Sequence, residues 1–83
     1  MNDIQEIAIK MCEKVKNYSV GTEFTIAELV KSVDESYDFS DFENTFEIME
    51  QFLNKCQQEN IFIENTQSGQ ILGMPWDYTH IKK

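Results

Sequence analysis

Val20-Gly21-Thr22-Glu23-Phe24-Thr25-Ile26-Ala27-Glu28-Leu29-Val30 is the stretch that decides the fold. Gly21 supplies a turn, and Thr22-Glu23-Phe24 reads as a brief extended piece. Thr25, with Glu28 three residues on, forms a capping box: the hydroxyl takes an orphan amide of the first turn while the carboxylate reaches back. Ile26, Leu29, Val30 and Val33 then share one face of a short helix that ends near Val33.

Upstream, Ile4, Ile7, Ala8, Met11, Val15 and Tyr18 recur at spacings of three and four, which predicts a first helix from about Asp3 to Asn17. Asp3 followed by Glu6 reads as its N-terminal cap. Downstream, Asp34 to Phe39 is a polar loop. Ser40-Asp41-Phe42-Glu43 reads as another capping box, opening a third helix that runs to about Asn60. Its apolar stripe is Phe42, Phe46, Met49, Leu53 and Cys56, widened by Ile48 and Phe52.

Ile61 to Thr66 is rich in β-branched and aromatic residues, Gln67-Ser68-Gly69 can turn, and Gln70 to Met74 can return as a second strand. Pro75 should end that strand because it cannot donate to a ladder. Trp76, Tyr78 and Ile81 give the last residues enough apolar mass to dock back onto the body. The reading is an α+β chain, three helices with a C-terminal β-hairpin, forming one domain over residues 1–83.

This order of elements, with the entry stretch quoted above, resembles a small winged-helix (winged helix-turn-helix) domain of the kind found in low-GC bacteria and their phages. The likeness covers about residues 3–74. It implies that the third helix would lie in a DNA major groove, with Glu43, Glu47, Glu50, Asn54 and Gln57 facing the bases. It also implies a wing from Asn65 to Gln70 resting on the backbone.

Charge departs from that expectation at those very positions. The net charge of −8 is unevenly placed. Residues 1–31 carry five acids and four lysines, residues 55–83 three of each, and residues 32–54 seven acids with no base. The seven are Asp34, Glu35, Asp38, Asp41, Glu43, Glu47 and Glu50. Phosphate contacts need cations, yet the chain has no arginine, and its seven lysines are dispersed at 10, 14, 16, 31, 55, 82 and 83. Glu43 and Glu47 at i,i+4, and Glu47 and Glu50 at i,i+3, are like charges that slightly disfavour the helix. Asp41 and Glu43 have an ordinary explanation in the positive end of the helix dipole, worth about 0.3–1 kcal/mol each.

The seven acids are therefore the expected partner-binding face of a non-enzymatic interaction module. The expected partner is a protein with a basic surface, such as a nucleic-acid-handling enzyme. In its sharpest form the chain would be a nucleic-acid mimic, as anti-restriction and anti-CRISPR proteins are. Glu43, Glu47 and Glu50 give about one charge per 5 Å of helix, against one per roughly 1.7 Å in duplex DNA, so the imitation is partial. The alternative is a DNA-binding regulator that uses the lysine side of the first helix and the C-terminus.

Other chemistry finds little support. His80 is the only histidine, no Cys-x-x-Cys or Gly-rich phosphate loop occurs, and Asp34, Glu35 and Asp38 lack the spacing of a calcium hand. No catalytic, metal-binding or cofactor-binding residues are expected. Cys12 and Cys56 sit among apolar helix positions as buried thiols. With no run of roughly 20 apolar residues and no basic start followed by an apolar stretch, a cytoplasmic setting is expected. Phe39, Phe62, Trp76 and Tyr78 are the aromatics expected to stay partly exposed and to support a contact beside the acids.

Overall fold

The computed structural model describes residues 3–66 and 73–83. Helix α1 (Ile4–Lys16) is followed by strand β1 (Glu23–Thr25), helix α2 (Ile26–Val33) and helix α3 (Phe42–Gln58). Strand β2 (Ile63–Asn65), a 3-10 turn (Pro75–Asp77) and strand β3 (Thr79–Lys82) complete the chain. The three strands form one antiparallel sheet in the order β1-β3-β2. Three helices and an antiparallel sheet of this order are the α+β, winged-helix-like arrangement that the sequence indicates.

Caps mark the helix starts. Asp3 Oδ1 accepts the Glu6 amide at 2.8 Å, and Thr25 Oγ1 accepts the Glu28 amide at 3.0 Å. Glu28 closes its box through the Thr25 hydroxyl, which donates to the Glu28 carboxylate at 3.1 Å. The α3 cap is Asp41, one residue later than expected: its carboxylate accepts the Asn44 amide at 3.1 Å. Ser40 is instead held by Asp38, which accepts the Ser40 amide at 2.9 Å.

The core lies where α1 packs on α3 and α2 closes the side. Ile7, Met11 and Val15 of α1, Ile26, Leu29 and Val30 of α2, and Ile48, Phe52 and Cys56 of α3 are all buried. On α3 the buried line is Thr45, Ile48, Phe52 and Cys56, rotated from the expected Phe42–Phe46–Met49–Leu53–Cys56 stripe. Thr45 can occupy a core position because its hydroxyl is satisfied. It donates to the Asp41 carbonyl at 2.8 Å and lies 2.8 Å from the Tyr37 hydroxyl. Phe42 and Phe46 stay 53% and 42% exposed, each resting against Trp76.

The C-terminal strand pair is formed by β2 and β3, so its second strand comes later than the expected 70–74. Residues 70–72 lie outside the described residues, and Gly73 and Met74 are not in a strand. Pro75 opens the 3-10 turn, which buries Trp76 and returns the chain so that Thr79–Lys82 becomes the middle strand. Alternation explains the choice: Thr79 and Ile81 are β-branched, while His80 turns inward to stack on Phe24 across the ladder. Lys82 then ties the sheet to α1. Its ammonium donates to the carbonyls of Lys16 and Tyr18 at 2.9 and 2.7 Å, where the helix leaves carbonyls unsatisfied.

Candidate functional site

The outward side of α3 is set by its inward one. With Thr45, Ile48, Phe52 and Cys56 buried, the helical repeat turns Glu43, Glu47, Glu50 and Asn54 directly away from the core, and all four are exposed. Gln57 is exposed as well. The expected groove-facing residues are thus on the free surface of the helix. Of the expected wing, Asn65 and Thr66 are described and Gln67 to Gln70 lie outside the described residues. Neither described wing residue is basic.

The seven acids fall into two adjoining groups. Glu43, Glu47 and Glu50 form the open strip along α3. Asp34, Asp38 and Asp41 lie on the loop and at the helix start, where they line a groove of about 610 Å³. Glu35 is exposed on the same loop but does not line the groove. Asp3, Ile4, Gln5 and Ile7 of the α1 start form the facing wall, with Ser36, Tyr37 and Asn44 between.

Local hydrogen bonds account for part of this arrangement. Asp34 accepts the Ser36 amide and hydroxyl at 3.2 and 2.9 Å, which closes the turn after α2. Hydrogen bonds from the Ser40 amide and then the Ser40 hydroxyl hold the Asp38 carboxyl below its ordinary range. Asp41 caps α3. Glu47 accepts from the Gln51 side chain at 3.3 Å.

None of the seven carboxylates forms an ion pair among the described residues. Among the described residues the ion pairs are Lys16–Glu59, Lys55–Glu59 and Lys83–Glu64, all away from the patch. Lys31, the lysine nearest in sequence, donates to the Glu35 backbone carbonyl rather than to a carboxylate. Lys14 is turned to the Ser32 carbonyl.

Next to the acidic strip, Phe42, Phe46 and Trp76 form an aromatic flank. This corrects the sequence expectation: Trp76 is buried at 3% exposure, and Phe42 and Phe46 take its place at the surface. Phe62 is exposed as expected, at 65%, while Phe39 and Tyr78 are half-buried.

The two thiols and the histidine are all buried. Cys12 and Cys56 are free thiols in mutual hydrogen-bond contact between α1 and α3, and burial pushes both up, Cys56 to about 12. A thiol so poorly ionised makes a weak nucleophile. Burial lowers the pKa of His80, whose Nδ1 lies 3.1 Å from the Tyr78 carbonyl. Among the described residues no three His, Cys, Asp or Glu side chains converge as metal ligands would. No helix among them is long and apolar enough to cross a membrane.

Set against models of protein families, curated proteins and solved structures, the chain matches none of them. Fold and site therefore define its class by themselves: a small α+β domain of winged-helix-like order whose third helix carries acids outward.

Proposed function

We propose that this chain is a non-enzymatic, cytoplasmic interaction module that docks a basic surface of a protein partner. The contact is made through the loop 34–41 and the outward face of α3. One observation carries the reading: seven acids fall on one loop and the helix that follows it, and among the described residues none of their carboxylates is in an ion pair. A surface selected for stability alone would intersperse signs, because exposed like charges at helical spacing cost rather than help.

The favoured partner handles nucleic acid. A winged-helix-like domain lays its third helix along a duplex, so an acidic third helix offers carboxylates to a cationic groove built for phosphates. Phe42 and Phe46 beside the strip add the desolvated aromatic area that interface centres favour. Inhibition of a restriction or CRISPR enzyme by partial nucleic-acid mimicry is one form of this activity.

A mobility shift with duplex DNA at low salt tests the reading. Repulsion over a Debye length of about 10 Å at 0.1 M salt predicts no retardation, and no retention on heparin. Retardation that weakens as salt rises would overturn acidic docking in favour of a DNA-binding regulator.

A further inference from the structure

The groove between the start of α1, the loop 34–41 and the first turn of α3 differs from the open strip in having an apolar floor. Ile4, Ile7 and Tyr37 supply that floor, and Asp3, Asp34, Asp38 and Asp41 stand around it. No lysine or histidine is among the residues that line it. Each of the four aspartates accepts a hydrogen bond at Oδ1 from a backbone amide, those of Glu6, Ser36, Ser40 and Asn44, at 2.8 to 3.2 Å. These bonds hold the carboxylates in place, and among the described residues none of the four is in an ion pair. Four fixed anions around an apolar floor are complementary to a side chain that is itself apolar along its stem and cationic at its tip.

Resting on the docking reading above, we infer that this groove receives a long-stemmed basic side chain, lysine or arginine, from an extended segment of the partner. The stem lies on Ile4 and Tyr37, and the cation sits among the aspartates. A bare metal ion fits less well, since the carboxylates do not converge as ligands. The volume, about 610 Å³, exceeds what one ammonium needs and leaves room for the flanking peptide backbone.

Two acetylated, glycine-spaced peptides test this on the unaltered chain: one carries four lysines, the other four 2,4-diaminobutyrates. Charge is equal and only the stem length differs. Each methylene buried on an apolar floor favours binding, so the lysine peptide should bind at least about threefold tighter. Its amide shifts should centre on residues 34–41 and Ile4. Asn44→Lys, which sets a cation in the groove, should weaken the lysine peptide by about tenfold or more. Glu50→Lys, outside the groove, should weaken both peptides alike.

Equal affinity of the two peptides, or shifts confined to Glu43, Glu47 and Glu50, would overturn the groove and leave docking by the open strip standing. Binding of neither peptide would also overturn it, while the docking reading would still be judged separately by partner capture.

Discussion

The two ends of α3 treat charge in opposite ways. At its C-terminal end Lys16 and Lys55 both meet Glu59, at 3.0 and 3.4 Å, and across the sheet Lys83 meets Glu64 at 3.0 Å. Hydrogen bonds and ion pairs with the two lysines lower the Glu59 pKa, and that of Lys16 is raised in turn. At the N-terminal end seven acids share a loop and two helical turns with no cation among them. One end reads as ordinary surface, with signs mixed and locally satisfied. The other carries acids that form no ion pair among the described residues, and the docking proposal rests on them. The same helix carries both, so the difference cannot be put down to the acidity of the protein as a whole.

The frame beneath both ends is the first thing to break. Phe52 is fully buried under the middle of α3, whereas Phe42 is half out. Phe52→Ala should cost about 3–5 kcal/mol in urea denaturation, and Phe42→Ala far less. Equal losses would mean that the helix is rotated and that Glu43, Glu47 and Glu50 do not face outward.

At the well-paired end, Lys82→Met should cost about 1–3 kcal/mol, because two carbonyls at the end of α1 lose a charged donor. A neutral result would mean that water replaces the ammonium and that this end is less fixed than it looks.

His80 sits on β3, the middle strand of the sheet, with its folded pKa lowered by burial. The unfolded chain then binds the proton more readily, so stability is full above about pH 6.5 and falls as pH drops through that value. His80→Phe should flatten that slope in denaturation curves taken from pH 7.5 downward. An unchanged slope would assign the acid sensitivity to other groups.

At the acidic end the effect should be smallest and of opposite sign. Glu47→Gln removes a charge that repels Glu43 and Glu50, and should stabilise by about 0.2–0.5 kcal/mol. A loss would mean that Glu47 serves the fold, which would blur the contrast between the ends.

The local features were legible in the sequence because they are set within a few residues. Asp3 and Thr25 cap where their spacing to the next amides says they should, and α2 ends at Val33, where its apolar spacing gives way to the polar loop. The phase of α3 was not, because Thr45 is polar on paper and enters the core only once Tyr37 and the Asp41 carbonyl satisfy it. The pairing of Thr79–Lys82 with both β1 and β2 was not legible because pairing is non-local: nothing near Thr79 announces that β1 will take it.

For the site, the seven acids could be counted from the sequence, and Glu43, Glu47 and Glu50 do share a face. The groove could not be foreseen. Its floor joins Ile4 to Tyr37 across the molecule, and Asp3 read only as a cap. The contrast with the paired end was hidden as well, since it depends on where each lysine turns.

The central claim is that the unpaired acids bind a partner, and charge reversal tests it most directly. The chain and its Glu43→Lys, Glu47→Lys, Glu50→Lys triple variant are used side by side as bait, with circular dichroism to show that both are folded. The account predicts that the chain captures basic, nucleic-acid-handling proteins in a salt-sensitive way and that the folded variant loses them. Capture of the same proteins by both would contradict it and leave the acids as solvation alone.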